Sequence, residues 1–122
     1  MIIVCVDNTP IALQFLKENA DKAYPHADVQ TFLNAEPALE YTETVGCDVL
    51  LCEINPPRLE GLFLAEKIQK INPRVNIIFV TVCSESEHAK AVMRLKPSGY
   101  LTKEATGTQI LEELRNLRYP IA

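Results

Sequence analysis

The stretch Val49-Leu50-Leu51-Cys52-Glu53 decides the fold of this chain. Four consecutive apolar residues leave no polar face, which is typical of a strand that helices cover on both sides. The run then stops at an acidic residue. We therefore predict a central strand of a parallel sheet over 49–52, with Glu53 at its carboxyl end.

Strand and helix patterns alternate on both sides of this run. Apolar runs rich in β-branched residues predict strands at 2–6, 29–33, 49–52, 76–82 and 99–101. Segments of helical period follow each of them, and the weaker second strand is expected at a sheet edge. The pattern predicts an α/β fold, a (βα)5 flavodoxin-like three-layer sandwich with a parallel sheet of order 2-1-3-4-5. We expect residues 1–122 to form one domain.

Local signals place the helix ends. Thr9 is predicted to cap the first helix, whose apolar stripe is expected to consist of Ala12, Phe15 and Leu16. The prolines after the third strand predict a loop through 56–61. Ser84 or Ser86 is expected to cap the fourth helix.

The composition limits the classes of function. Of the 122 residues 48% are apolar, enough for a real core, and the net charge is −4. An acidic chain lacks the basic surface that a nucleic-acid phosphate backbone requires, so we expect no direct nucleic-acid binding. The N-terminal apolar run has no basic leader and is too short to span a bilayer. We expect a cytoplasmic protein that does not enter a membrane.

The four cysteines, Cys5, Cys47, Cys52 and Cys83, have neither metal-site spacing nor the density of a disulfide scaffold. Buried reduced thiols are the favoured interpretation. Oxidation between Cys5 and Cys52 stays open, because the two residues fall on strands that are expected to be neighbours.

Polar residues stand at the ends of four predicted strands. Asp7 and Asn8 follow the first strand, Glu53 the third and Lys103 the fifth, and Thr81 lies near the end of the fourth. The carboxyl ends of parallel strands share one edge of a sheet, so these residues are expected to form one acidic pocket. Two adjacent carboxylates repel each other, and either Mg²⁺ or Lys103 would relieve the repulsion.

The chain resembles the response-regulator receiver domains, of the chemotaxis-regulator type, over essentially its whole length. The resemblance rests on Val6-Asp7-Asn8, Leu51-Cys52-Glu53-Ile54, Pro57-x-x-x-Gly61, Phe79-Val80-Thr81 and Gly99-Tyr100-Leu101-Thr102-Lys103. Further pieces, such as Ile71-Asn72-Pro73 and the closing 117–120, resemble receivers that precede a DNA-binding output domain.

The resemblance implies a reaction and its participants. In this family a histidine kinase transfers a phosphoryl group to an aspartate at the end of the third strand, where Glu53 stands here. The implied Mg²⁺ site consists of Asp7, Glu53 and the backbone of Asn55, and Lys103 is the cation typical of the family. The carboxylate is the nucleophile, while metal and lysine neutralise charge on the transferring group.

The resemblance also implies a signalling output. Thr81 would be the switch hydroxyl and Tyr100 the switch aromatic residue. The fourth helix, fifth strand and fifth helix would then present a surface to an output domain or to a second copy in a homodimer. The implied protein is a signal-transduction module in transcription control, not an enzyme.

Two residues depart from the family pattern. Glu53 replaces the acceptor aspartate, and its extra methylene moves the carboxylate by about 1.5 Å, which in-line transfer tolerates poorly. Its permanent charge would partly imitate a phosphorylated aspartate. Asn8 replaces a second acid, which weakens Mg²⁺ binding. We therefore expect an atypical receiver with a degenerate acceptor site, in which phosphorylation is lost or inefficient.

Two alternatives remain. In the first, Glu53 or another acid still accepts phosphate, and the chain is a conventional receiver. In the second, the chain is a flavodoxin-like domain that binds a nucleotide or flavin. Against the second, Asp7-Asn8-Thr9-Pro10 offers an acid and a proline where a glycine-rich phosphate loop would need open backbone amides.

Overall fold

A computed structural model describes residues 1–54, 59–82 and 88–121. The strands are β1 (Ile2–Val6), β2 (Asp28–Phe32), β3 (Val49–Cys52), β4 (Asn76–Thr81) and β5 (Gly99–Thr102). The helices are α1 (Pro10–Ala23), α2 (Ala35–Thr44), α3 (Glu60–Ile71), α4 (Ala89–Arg94) and α5 (Gly107–Arg115). Strand bounds agree with the predicted ones to within one residue. The predicted caps Ser84 and Ser86 lie outside the described residues.

The five strands form one parallel sheet in the order β2-β1-β3-β4-β5. β3 pairs with β1 on one side and β4 on the other, and all four of its residues are buried. β2 lies at the edge with a half-exposed pattern. The predicted order, the central strand and the edge strand are confirmed.

Two apolar layers flank the sheet, because successive side chains of a strand point to opposite faces. One layer joins Leu50 and Ile77 to residues of α2, α3 and α4. The other joins Leu51 and Ile78 to residues of α1 and α5. The three-layer sandwich is confirmed.

The predicted stripe of α1 is wrong at Phe15, which is 38% exposed. Leu16 of the predicted stripe is buried, and the other buried apolar side chains of this helix are Leu13 and Ala20. Phe15 lies two residues beyond Leu13, about 200° around the helix axis at 3.6 residues per turn, and so points away from the sheet.

The two cysteines of neighbouring strands cannot form a disulfide. Cys5 packs into the layer with α1 and α5, and Cys52 into the layer on the opposite face of the sheet. Their positions are offset by one residue in the register, which pairs Cys5 with Leu51 and Cys52 with Val6. Both thiols are free, as is that of Cys47, while Cys83 lies outside the described residues.

The predicted loop through 56–61 is too long at its end, because α3 already begins at Glu60. Residues 55–58 lie outside the described part of the chain. Gly61 therefore belongs to the first turn of α3, where it packs against the chain that leaves β3. A Cβ atom at Gly61 would lie 1.6 Å from the carbonyl oxygen of Glu53, so only glycine permits this approach.

Candidate functional site

The four strand ends bring their polar residues to one edge of the sheet. Asp7 directly follows β1, Glu53 follows β3, and Lys103 follows β5. Lys103 forms an ion pair with Asp7 and lies 3.5 Å from Oε1 of Glu53. The convergence that the sequence predicted for these three side chains is present.

Asp7 is held in place by the start of the first helix. The residue is only 3% exposed, and its Oδ1 accepts hydrogen bonds from the backbone N–H and the hydroxyl of Thr9, at 3.0 and 3.2 Å. Thr9 occupies the predicted cap position of α1, but its side chain makes no capping hydrogen bond. The hydroxyl orients Asp7 instead, which the sequence interpretation missed. The two-residue spacing from an aspartate was the available signal, since it is typical of Asx turns.

Glu53 is a buried and incompletely compensated acid. It is 8% exposed, and its Oε2 has no hydrogen-bond partner among the described residues. Burial and the nearby charge of Asp7 raise the pKa of Glu53 above its ordinary value, while Lys103 and the backbone of Asn8 act in the opposite direction. One ammonium thus serves two carboxylates, and a net negative charge remains in the pocket.

A small hollow of about 20 Å³ adjoins Glu53 on the side of α3, lined by Asp7, Asn8, Glu53, Glu60 and Gly61 among others. Its volume suits one guest of the size of a water molecule. Asn8 itself is exposed and lies at the outer side of the pocket.

The oxygen atoms around this hollow fit a divalent cation that keeps most of its water. Mg²⁺ is commonly held through one or two carboxylates and several waters. Asp7 and Glu53 provide the carboxylates, and the unpartnered Oε2 of Glu53 is an available ligand atom. Within the described ranges no three His, Cys, Asp or Glu side chains gather into a metal-binding group. The predicted backbone ligand Asn55 lies outside those ranges.

The predicted switch residues lie on the last two strands. Thr81 ends β4 and is fully buried, and its carbonyl accepts a hydrogen bond from the backbone N–H of Lys103 at 2.8 Å. Tyr100 is half-buried on β5, paired in register with Phe79, and the two rings meet edge-on with centroids 6.4 Å apart. The backbone of both strands therefore connects these residues to the charged pocket.

No helix in the described part of the chain has the length and apolar character that crossing a bilayer requires.

Comparisons with known proteins agree with this architecture. Two curated relatives are the response regulator UvrY of Escherichia coli K12, 30% identical over 82 residues, and the transcriptional regulatory protein DegU of Brevibacillus brevis, 26% identical over 82 residues. Each alignment covers 67% of this chain but only 38% of UvrY and 35% of DegU, so the chain spans little more than a third of the length of these relatives.

A solved structure shares the fold. The receiver domain protein from Methanospirillum hungatei JF-1 superimposes with a TM-score of 0.82 at 24% identity, covering 93% of this chain and 90% of that one. The family of response regulator receiver domains matches residues 3–115. This match covers more than nine-tenths of the sequence, and the chain belongs to the response regulator receiver domain family.

Proposed function

We propose that this receiver domain is an atypical signalling module in which Glu53 occupies the acceptor position and stable phosphorylation is lost or inefficient. The supporting observation is the distance of 3.5 Å between Oε1 of Glu53 and Nζ of Lys103. The glutamate side chain reaches the lysine directly. An incoming phosphoryl group would have to compete with Glu53 and Asp7 for the same cation.

The electrostatics of the pocket argue in the same direction. Transfer to a carboxylate needs positive charge around the phosphoryl oxygens. Here Lys103 already compensates two buried acids, and the raised pKa of Glu53 records that its charge is poorly stabilised. A carboxylate with a raised pKa is ionised less readily, and only the ionised form attacks phosphorus.

We further propose that Mg²⁺ binds here weakly, through Asp7 and Glu53 and the backbone of Asn55. When bound, the cation supplies positive charge that stabilises anionic oxygens. The protein's own residues then set its affinity. Asp7 is pre-oriented by Thr9, but its other oxygen is paired with Lys103, and Asn8 contributes no charge. A cation that enters the site must displace Lys103 from Asp7 or share the carboxylate of Asp7 with it, which lowers the affinity for Mg²⁺.

The signal would leave the domain through β4 and β5. We assign the switch role to Thr81 and Tyr100, and we assign the face of α4, β5 and α5 to contact with an output domain or a second copy. Met93 of α4 is 64% exposed on this part of the fold, so its apolar side chain is open to a partner. The relatives UvrY and DegU are a response regulator and a transcriptional regulatory protein, which supports a role in transcription control. We propose a histidine kinase as the source of the signal.

Exposure of the intact chain to acetyl phosphate with Mg²⁺, followed by intact-mass measurement, tests the proposal. We expect no stoichiometric phosphate adduct. A stoichiometric adduct that disappears in a Glu53→Gln variant would instead establish the conventional receiver, with Glu53 as acceptor. The nucleotide- or flavin-binding alternative gains nothing from the family match, and a yellow purified protein would revive its flavin-binding form.

A further inference from the structure

The chain after α5 passes the starts of β4 and β5, at the opposite end of these strands from the charged pocket. We call residues 117–121 the strap. Leu117 and Ile121 at its two ends pack against the apolar layer between the sheet and the helices α1 and α5. Tyr119 lies half-buried between them. The strap is therefore held by apolar contacts at both ends and by its middle residue.

Asn76 fixes the middle of the strap. It is the first residue of β4 and is fully buried. Its side-chain amide nitrogen donates to the carbonyl oxygen of Tyr119 at 2.8 Å, and its Oδ1 accepts from the backbone N–H of Tyr119 at 2.7 Å. One side-chain amide thus satisfies both backbone groups of one residue, as the backbone of a neighbouring strand would.

Ser98 completes this arrangement. Its hydroxyl donates to Oδ1 of Asn76 at 2.9 Å and accepts from the backbone N–H of Arg118 at 3.0 Å. The amide nitrogen of Asn76 makes a second, longer contact of 3.5 Å with the carbonyl oxygen of Asp48. Release of the strap would leave the buried polar atoms of Asn76 without the backbone groups of Tyr119, which is costly.

The ring of Tyr119 adds a further restraint. The guanidinium carbons of Arg74 and Arg118 lie 5.1 and 5.9 Å from its centroid. Both arginines are exposed, so each contact stabilises the strap only modestly. The hydrogen bonds to Asn76 and Ser98 remain the main polar connection between the strap and the sheet.

The same two strands connect this arrangement to the charged pocket. β4 begins at Asn76 and ends at Thr81, while β5 lies between Ser98 and Lys103. The strands are joined at both ends beyond their ladder. Ser98 donates its N–H to the carbonyl of Ile77 at 2.7 Å, and Lys103 donates to that of Thr81 at 2.8 Å. A shift of β5 along β4 would therefore move Lys103 and Ser98 together.

We propose that Asn76 and Ser98 form a latch for the strap, and that the charge balance around Lys103 sets how often the latch opens. When the pairing of Lys103 in the pocket changes, β5 shifts against β4, Ser98 separates from Asn76, and the strap is released. This inference goes beyond the proposed function and does not depend on whether Glu53 accepts a phosphoryl group.

Native-state digestion of the full chain with trypsin tests the latch. Cleavage after Arg118 requires an open strap, while cleavage after Lys67, which precedes the fully buried Ile68 in α3, requires opening of the core, and mass spectrometry gives the ratio of the two rates. Proteolysis of a rapidly opening segment follows its open population, so Ser98→Ala and Asn76→Ala are each expected to raise the ratio by roughly tenfold. Ser98 is half-buried, and its replacement by alanine is the milder change. An unchanged ratio in Ser98→Ala would overturn the latch.

A matched pair of lysine variants tests the coupling to the pocket. Lys103→Met removes the pocket cation, and Lys90→Met makes the same replacement on the exposed surface of α4. We expect Lys103→Met to raise the ratio several-fold, and Lys90→Met to leave it unchanged. Equal ratios for Lys103→Met and Lys90→Met would show that the strap is held independently of the pocket, and the coupling would be wrong.

Discussion

Oε1 of Glu53 lies 3.5 Å from Nζ of Lys103, within ion-pair distance, while Oε2 of the same carboxylate is buried without a hydrogen-bond partner among the described residues. One side of this acid is thus partly neutralised and the other is not. The asymmetry arises because Lys103 is also paired with Asp7.

Replacement of Glu53 by aspartate should restore phosphorylation. The shorter side chain withdraws the carboxylate by about 1.5 Å, the length of one carbon–carbon bond, and opens room beside Lys103 for a phosphoryl group. We expect Glu53→Asp to gain the mass of one phosphate with acetyl phosphate and Mg²⁺, and to lose it in hydroxylamine, which cleaves acyl phosphates. Glu53→Gln is the control that lacks a nucleophile. Absence of an adduct in Glu53→Asp would show that length alone does not disable the site.

Replacement of Glu53 by glutamine should stabilise the fold in a pH-dependent way. Burial and the charge of Asp7 raise the pKa of Glu53, so the folded state binds a proton more tightly than the unfolded state. The part of the wild-type free energy of unfolding that comes from protonated Glu53 is therefore lost as the pH rises from the ordinary glutamate pKa through the raised one. We expect Glu53→Gln to be more stable by about 1 kcal/mol at neutral pH, measured by urea unfolding with a chelator present.

The advantage of the glutamine variant should disappear at acidic pH, where the wild-type Glu53 is protonated in both states. Exposed Glu43→Gln on α2 serves as the matched control and should show no such trend. An advantage of Glu53→Gln that stays constant down to acidic pH would contradict the electrostatic explanation.

Replacement of Asn8 by aspartate should strengthen Mg²⁺ binding. The new carboxylate lies beside the hollow that Asp7 and Glu53 line, and charge is a main determinant of affinity for this cation. We expect lower stability without metal, because like charges are added, and a larger rise of Tm with Mg²⁺. A tenfold tighter Kd adds about 1.4 kcal/mol at saturating metal. Asn116→Asp adds the same charge after α5 and should leave the Mg²⁺ response unchanged. Equal responses of the two variants would argue against a metal site here.

Replacement of Gly61 by alanine should disrupt the support of Glu53. The added Cβ would lie 1.6 Å from the carbonyl oxygen of Glu53, so α3 or the end of β3 must move. We expect a loss of about 3 kcal/mol in urea unfolding, the upper range for overpacking. Gly107→Ala is the control, since the atom nearest to its added Cβ would be Oδ1 in the side chain of Asn19, at 3.0 Å, and Gly107 is the first residue of α5. Comparable stability of the two variants would mean that the backbone at Glu53 moves away from the added Cβ at little cost in free energy.

The sheet could be predicted from the sequence because a strand buried on both faces leaves a continuous apolar run. The stretch 49–52 is such a run, and the order of the strands follows from the handedness of their connections. The convergence of Asp7, Glu53 and Lys103 could be predicted as well, because the carboxyl ends of parallel strands meet at one edge. Their roles in signalling stay predictions.

Features that depend on side-chain direction could not be predicted in the same way. An apolar residue such as Phe15 fits a helical stripe in several rotational settings, and only the packing of α1 against the sheet selects Leu13 instead. The latch of Asn76 and Ser98 joins residues far apart in the chain, and no periodicity marks a polar residue that begins a buried strand. The contact between Gly61 and Glu53 likewise depends on the backbone path after β3.

The three described thiols are enclosed in the folded protein. Burial raises the pKa of Cys5 and Cys47 to about 12, and burial also raises that of Cys52, so thiolate is scarce in the native state. A thiol reagent therefore meets these sulfurs only during transient unfolding. In a Cys83→Ser variant, the rate at which a thiol reagent alkylates the intact chain therefore measures how often the core opens. Cys5 and Cys52 report on opposite faces of the sheet.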